Sequence, residues 1–474
     1  MNIKHVAGAW RPAAIVCAAM AIGSCGGESG NPVTPTPPPV TNSPPVISTA
    51  NQDISVVENG TGVLFTVAAS DANGDTLQYS LFGDDFAKFA IDASGQVTFK
   101  ASPDHELPTD ADANNTYTFT VMVSDGRAAD TVTASVRVTN DREGIKVTRI
   151  MTGLGNDPLI ASHASKALLY VTKRDGTILE IDGATGAAVD RGQVYSAGET
   201  GRIAALGYLN GFVVALLDIP GRGLLGRSIP TPDARYNYRD EFLFAGPTDQ
   251  SPSAVFYRHN ILYLAVGDPA GNFAQDAGSG LGKLFKVNVA GCGASTLSYC
   301  IGGTVIGDGI HNPSGGGRLG TQSFLFDRGL EIEEEINFYN PEARPLDFGW
   351  PGREGTEARQ ASAPAAINGP SIVYPRGDGF REGSGIVGGT PYDGPIKQLD
   401  GKLIFADISG KIFATPSSFL SDGFLHRENE IEQRTADFQP DVGAIDRPIA
   451  VLTDDAGVLY ILDADGELFR VDPA

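Results

Sequence analysis

Apolar and polar residues alternate with a period of two along most of the chain, which is the pattern of half-buried β-strands. Residues 63–67 and 117–123 are clear examples, and short turns rich in Asn, Asp and Gly flank both. No long stretch has the 3.6-residue periodicity of an amphipathic helix. Together with 59 glycines in 474 residues, this pattern predicts an all-β protein with tight turns.

The first predicted folded unit spans residues 46–144. Its short alternating strands are separated by turns at 59–60, 73–75 and 125–126. Strands of this length, with turn signals at these intervals, are typical of a β-sandwich of about 100 residues.

A second unit, residues 145–474, contains a recurring element. An apolar strand, a turn with Asp or Gly and a second apolar strand occur six times, at 168–181, 211–229, 261–289, 323–338, 402–415 and 458–471. Such hairpins cannot bury a face alone, whereas sheets repeated around an axis can. The repeat therefore predicts a β-propeller with connecting loops of variable length.

The N-terminus predicts export and lipid anchoring. Residues 1–24 have a short apolar run after Lys4 and Arg11, too short to span a bilayer. The sequence before Cys25 resembles a bacterial lipobox, in which the cysteine is acylated; the alternative is an unpaired thiol. Gly26 follows where an Asp would favour the inner membrane, so we expect an outer-membrane lipoprotein of the bacterial envelope, held to the membrane only by this anchor. Residues 25–45, rich in Pro, Thr and Gly, predict an extended tether.

The net charge limits the classes of possible binding partner. The chain has 35 Lys and Arg against 57 Asp and Glu, a formal net charge of −22. Nucleic acid is excluded as a partner because its binding depends on neutralising phosphates with cations. Neutral ligands, such as a sugar or glycan, and metal cations fit better.

Residues 46–144 resemble a cadherin repeat. The resemblance is carried by residues 57–59, 71–75, 79–80, 89–92, 104–106 and 121–125. It implies a module that contacts a partner protein and binds calcium through carboxylates converging at one end of the sandwich. The expected ligands are Glu58, Asp104, Glu106, Asp125 and Asp141. The alternative is that these carboxylates only stabilise turns.

Residues 145–474 resemble the soluble quinoprotein glucose/sorbosone dehydrogenases. The motifs, in chain order, are 169–176, 198–201, 262–268, 281–287, 312–313, 334–337, 348–351, 388–396, 403–407 and 455–460. The resemblance implies a six-bladed propeller that oxidises aldoses with pyrroloquinoline quinone and Ca²⁺. It also implies a histidine base that takes the proton of the sugar hydroxyl.

The residues depart from that family where its chemistry is done. Tyr208 stands at the position of the catalytic histidine. The family's Arg-Asn-Pro triplet is here His311-Asn312-Pro313, which makes His311 a weak candidate base; the alternative is a loop histidine satisfied by backbone. Asn312 and Arg318 are the candidate quinone-binding residues. The acidic run 333–335 is interpreted as a solvated strand edge.

Two classes of function therefore stay open: a quinone-dependent sugar dehydrogenase, and a non-catalytic propeller that binds a glycan or a protein. Cys292 and Cys300 are expected to form a disulfide, because they are the two cysteines that remain after export and acylation in an oxidising compartment.

Overall fold

The computed structural model describes residues 41–162, 167–209, 212–232, 240–243, 253–258, 261–288, 304–360 and 368–474. Their regular structure is β-strand apart from short 3₁₀ turns at Phe86–Lys88, Ser417–Leu420 and Glu428–Glu430. No helix in these ranges combines the length and apolarity that crossing a bilayer needs. Residues 44–474 form one compact unit.

The first module is the predicted β-sandwich. Its strands are β1 Val46–Ile47, β2 Gln52–Val57, β3 Val63–Thr66, β4 Ala69–Ser70, β5 Gln78–Phe82, β6 Phe89–Ile91, β7 Gln96–Phe99, β8 Thr116–Ser124 and β9 Ala129–Thr139. One sheet has the order β2-β9-β8-β5, with β2 parallel to β9, and the other has the order β3-β7-β6. Strand β1 pairs with β4.

Alternation along β8 explains the core of this sandwich. Tyr117, Phe119, Val121 and Val123 are buried at every second position, and the residues between them are more exposed. The Phe119 ring lies 4.1 Å from the ring of Phe89 on the opposite sheet, centroid to centroid. Burying one face of each sheet against the other is what holds the module together.

The second module contains all later strands. They are β10 Ile145–Met151, β11 Leu159–Ser162, β12 Leu168–Thr172, β13 Thr177–Asp182, β14 Ala188–Gln193, β15 Arg202–Leu209, β16 Phe212–Ile219, β17 Gly223–Pro230, β18 Asp240–Leu243, β19 Ser253–Arg258, β20 Ile261–Val266, β21 Lys283–Asn288, β22 Thr304–Asp308, β23 Pro313–Leu319, β24 Gln322–Asp327, β25 Glu333–Tyr339, β26 Arg353–Glu354, β27 Glu357–Ala358, β28 Ile372–Pro375, β29 Ile386–Pro391, β30 Lys402–Asp407, β31 Ile412–Pro416, β32 Glu432–Gln433, β33 Pro448–Thr453, β34 Leu459–Asp463 and β35 Leu468–Pro473.

These strands form six four-stranded antiparallel sheets, and β26 with β27 forms a separate small hairpin. The inner strands of the sheets are β11, β15, β19, β23, β29 and β33. Each contacts the inner strand of the next sheet, and β33 returns to β11. The outer strand of the last sheet is β10, so the two ends of the module close the ring together. The predicted six-bladed propeller is confirmed.

The six hairpins recognised in the sequence are the second and third strands of each blade. These strands are buried on both faces: β20 and β30, for example, are buried at five consecutive positions. A strand that is buried on both faces needs apolar residues at consecutive positions, and such runs are easy to recognise in the sequence.

The sandwich and the propeller meet through a few polar contacts. The backbone N–H of Gln433 donates to the carbonyl of Glu106 (2.9 Å), and the guanidinium of Arg381 donates to the carbonyl of Pro108 (3.2 Å). Arg434, from the propeller, forms an ion pair with Glu143 (2.5 Å) in the segment that joins the modules. This junction brings sandwich carboxylates close to propeller side chains.

Candidate functional site

A cavity of about 430 Å³ lies on the propeller axis. Its walls come from all six inner strands and from segments next to them. The size is in the range of pockets that hold small molecules. A central cavity is therefore the first candidate binding site in this chain.

Small side chains let the inner strands approach closely around this cavity. A Cβ atom added at Gly315 would lie 3.1 Å from the Cα of Gly388, and one added at Gly316 would lie 2.7 Å from the ring of Phe256. Gly388 also has a φ of +108°, which other residues rarely adopt. The glycines of β23 and β29 are thus required by the packing of the ring.

Hydroxyl groups and one carboxylate supply the polar side chains of the described lining. These residues are Tyr208, Ser253, Ser314, Thr390, Thr453 and Asp455. The hydroxyl of Ser314 is buried without a hydrogen-bond partner among the described residues. The ring of Tyr208 stacks on that of Tyr170, with centroids 5.4 Å apart, which fixes its position at the wall.

No His, Lys or Arg occurs among the described residues that line the cavity. Pyrroloquinoline quinone carries several carboxylates, and a site for it needs cations or many N–H donors. The hydroxyl-lined wall supplies neither a cation nor an imidazole base. The described cavity residues therefore do not fit this cofactor.

His311 lies away from the cavity. It is 4% exposed, its Nδ1 contacts the carbonyl oxygen of Arg328 (2.5 Å), and its ring lies 4.0 Å from that of Trp350. The backbone N–H groups of His311 and Asn312 both donate to the buried carboxylate of Asp327 (2.9 and 2.5 Å). Burial raises the pKa of Asp327. The ring of His311 is thus held in the protein interior by packing.

The two predicted quinone ligands are not at the cavity either. Asn312 makes two described hydrogen bonds, both through its backbone: its N–H donates to Asp327 and its carbonyl accepts from the N–H of Arg328 (3.1 Å). Arg318 is exposed and lies in β23 beyond the glycines that line the cavity, next to the turn into β24. The structure therefore does not bring His311, Asn312 and Arg318 together at one pocket.

The acidic run 333–335 corrects the expectation of a solvated edge, because all three residues are at least nine-tenths buried. Glu334 forms an ion pair with Arg376 and also accepts N–H groups of Gly329 (3.2 Å) and Ile386 (2.9 Å). Burial raises the pKa of Glu335 well above its usual value. These side chains tie neighbouring blades together, since Ile386 belongs to the next sheet.

The loop before this run is organised by another buried carboxylate. One oxygen of Glu354 accepts the backbone N–H groups of Leu330, Glu331 and Ile332, each at 2.7 Å. Trp350 donates its indole N–H to the carbonyl of Asp268 (2.7 Å), which anchors the segment to the preceding blade. The stretch 331–351 is therefore held by hydrogen bonds within the propeller and stabilises its packing.

A cluster of three carboxylates lies at the junction of the modules. Glu58, Glu106 and Glu143 each place one oxygen within 4.8 Å of the other two. Glu106 is fully buried, its Oε1 contacts Nδ1 of His105 (3.3 Å), and its Oε2 has no hydrogen-bond partner among the described residues. Burial raises the pKa of Glu106 to about 7. An unsatisfied buried carboxylate oxygen fits a cation here.

Of the five predicted calcium ligands, the structure brings Glu58 and Glu106 together. Asp104 instead accepts the N–H groups of Glu106 and Leu107 (both 2.9 Å). Asp141 is exposed and donates its backbone N–H to Glu58 (2.7 Å). Glu143, which sequence reasoning missed, joins the cluster; its signal was its place two residues after Asp141.

Asp125 does not converge with the other predicted calcium ligands, contrary to the expectation from the sequence. It follows β8, whereas Glu106 precedes β8, so the two residues lie at opposite ends of that strand. There Asp125 clusters with Asp71 and Asp75. The predicted carboxylates therefore do not share one site.

The predicted lipidation residue, Cys25, and the predicted disulfide, Cys292 with Cys300, lie outside the residues that the structure describes.

The fold defines the class: an Ig-like β-sandwich followed by a six-bladed β-propeller. A model of the bacterial Ig domain matches residues 42–139. Among solved structures, the soluble aldose sugar dehydrogenase of Escherichia coli in its apo-form is similar, with 16% identity and a TM-score of 0.50, over 70% of this chain and 100% of that chain. A glucose dehydrogenase is similar with 19% identity and a TM-score of 0.51, over 69% of this chain and 100% of that chain. Comparison with curated protein sequences gives no match. At these identities the likeness establishes the propeller fold.

Proposed function

We propose that this chain is a lipid-anchored protein of the bacterial envelope whose propeller binds a small, neutral, hydroxyl-rich ligand without transforming it. The observation that carries the proposal is the described lining of the axial cavity, which offers hydroxyls and one carboxylate but no cation or imidazole. Such groups match the hydroxyls of a neutral sugar, because they both donate and accept hydrogen bonds.

Quinone-dependent aldose oxidation is the second candidate. It is favoured by the likeness to the two dehydrogenases and by the position of Tyr208, which lines the cavity. Oxidation needs a base at the reacting hydroxyl, and a positioned base contributes about 10²–10⁴-fold. A phenol, with an ordinary pKa of about 10, is protonated at neutral pH and is a poor base. This weighs against turnover in the described cavity.

The decisive experiment measures binding and turnover separately. Calorimetric titration with neutral mono- and disaccharides tests binding, and a dye-linked assay with pyrroloquinoline quinone and Ca²⁺ tests turnover on aldoses. We expect binding by at least one sugar and no turnover. Robust turnover would establish the second candidate. If the protein shows no binding and no turnover, both candidate functions are ruled out.

A pair of variants connects binding to the cavity. Thr390→Val removes a hydroxyl of the cavity lining, and Thr415→Val removes a buried hydroxyl of β31 that does not line the cavity. We expect Thr390→Val to weaken sugar binding about tenfold, which corresponds to one hydrogen bond of about 1.4 kcal/mol. Thr415→Val should leave the affinity unchanged.

The proposal also covers the location of the protein and its anchor. We propose acylation at Cys25, with residues 25–45 as the tether and the outer membrane as the location. Mass spectrometry of the mature N-terminus tests this, and an unmodified Cys25 peptide contradicts it.

We also propose that Glu58, Glu106 and Glu143 bind Ca²⁺ at the junction, where the cation would supply the missing partner of Glu106. The sandwich then serves as a calcium-stabilised spacer with a surface for a protein partner.

A further inference from the structure

A separate group of oxygen-bearing side chains lies in the loop that leads into β8. The sequence there is Asp110-Ala-Asp112-Ala-Asn114-Asn115-Thr116. Oxygen ligands at the first, third and fifth positions are the spacing of calcium-binding loops, which turn sharply at the sixth position. Asn115 occupies that sixth position and has a φ of +63°. Residue spacing and backbone conformation alone do not make a cation site. The side-chain contacts show whether an oxygen is available to a cation.

Asp110 has an unsatisfied carboxylate oxygen. The residue is 7% exposed, and its Oδ2 accepts the N–H of Asn114 (2.8 Å). Its Oδ1 is buried and has no hydrogen-bond donor among the described residues. Burial and the neighbouring Asp112 raise the pKa of this carboxyl. A buried carboxylate oxygen without a donor is one that a bound cation would satisfy.

The surroundings hold the loop in place. Ala111 donates its N–H to the buried carboxylate of Asp85 (2.8 Å), and Asn115 donates its side-chain N–H to the carbonyl of His105 (2.9 Å). Asp112 and Asn114 are exposed, so the loop is open to solvent on one side. A fixed backbone with one buried and two exposed ligands keeps the cost of ordering low when a cation binds.

Other charges near Asp110 come from the propeller. Arg381 interacts electrostatically with Asp110 and with Asp104, and burial lowers its pKa. Its guanidinium donates to the carbonyl of Pro108 (3.2 Å). The Asp110 carboxylate accepts no hydrogen bond from it, so Oδ1 stays available to a cation.

We propose that Asp110, Asp112 and Asn114 bind a divalent cation, with Ca²⁺ preferred, at a site distinct from the Glu58, Glu106 and Glu143 cluster. Carboxylate and amide oxygens are the ligands that Ca²⁺ takes, and water and backbone carbonyls complete its six to eight positions. The site adds a cation next to the junction with the propeller, independent of whether the propeller binds a sugar.

Calcium titration of the chelator-treated full chain tests this site. Asp112→Asn removes an exposed ligand charge, and Asp84→Asn, an exposed residue of the same sandwich, is the matched control. Both changes are made in a Glu106→Gln background, which removes the other proposed cluster. We expect Asp112→Asn to weaken one binding event at least tenfold and Asp84→Asn to leave it unchanged. Identical isotherms for the two variants would overturn the proposal.

A second measurement separates a cation from a bound proton. Asp110→Asn removes a buried carboxylate next to Asp112, so at pH 8 with chelator this variant should unfold at a higher temperature than the parent. When both proteins carry Glu106→Gln, which removes the other proposed cluster, excess Ca²⁺ should reverse the order, because only the protein that keeps Asp110 gains ligand-linked stability. If Asp110→Asn stays more stable under both conditions, Asp110 holds a proton and the cation site is excluded.

Discussion

Glu106→Gln is the most informative single change, because it replaces the buried carboxylate at the junction by an amide of the same shape. In the parent, burial raises the pKa of Glu106 from an ordinary value of 4.5 to about 7. The folded state then holds a proton at this residue between those pH values, while the unfolded chain has lost it. Stability from this residue is therefore full below about pH 4.5 and falls as pH rises toward 7.

The size of the effect follows from the shift. One pKa unit corresponds to about 1.4 kcal/mol, so ionised Glu106 costs the folded state up to about 3 kcal/mol above pH 7 when no cation is bound. The amide of the variant does not ionise and has no such cost, and its N–H is available to the neighbouring Glu58 or Glu143 carboxylate. In chelator, the variant should match the parent at pH 4.5 and exceed its stability at pH 8 by as much as this amount.

Hydrogen exchange of the β8 amides, normalised to intrinsic rates, measures this difference within the full chain. We expect exchange in the variant to be up to about 100-fold slower than in the parent at pH 8 with chelator. Added Ca²⁺ should slow exchange in the parent more than in the Glu106→Gln variant, because the variant keeps only the proposed Asp110 site. Asp84→Asn serves as the control. A ratio of exchange rates that does not change between pH 5 and pH 8 would refute the assignment of Glu106 as a buried, proton-binding carboxylate.

Three further changes test the propeller. Arg376→Met leaves the Glu334 carboxylate buried without its ion pair and should cost about 3–5 kcal/mol in urea unfolding; adding Glu334→Gln should recover much of it, and an equally unstable double variant would contradict the pairing. Trp350→Phe removes the N–H that donates to Asp268 and should lower stability by about 1–3 kcal/mol, measured by calorimetry; an unchanged transition would mean the bond contributes nothing. Tyr208→His should not produce dye-linked aldose oxidation with quinone and Ca²⁺, because the described lining holds no cation to orient the quinone; turnover by this variant would show that one residue was the sole defect.

The candidate site was harder to predict than the fold. Glu143 joins Glu58 although strands β3 to β9 separate the two residues in the chain. The acidic run 333–335 looks like a surface edge in sequence, but Arg376 lies 42 residues after Glu334 and neutralises it inside the protein. A local sequence pattern cannot predict ion-pair partners at such separations, because tertiary packing determines which residues of different segments come into contact.

The cavity shows the same division between local and tertiary information. His311 carries the residue type and loop context expected of a base, but its ring packs on Trp350 and does not line the cavity. The inner strand β23 contains Ser-Gly-Gly-Gly, residues 314–317, and lacks the apolar alternation that marks a strand. Its role follows from the ring of six sheets, where small residues are needed for close approach.

The sequence by itself determined the all-β class, the sandwich and the six central hairpins, since burial of alternating or continuous apolar residues is a local property of each strand. Only the tertiary structure decided that Glu106 and Asp110 are buried with unsatisfied oxygens, that the run 333–335 is internal, and that the axial cavity is lined by hydroxyls. These properties arise from contacts between residues far apart in the chain, and the free energy of a charge or a polar atom depends on those contacts more than on its neighbours in sequence.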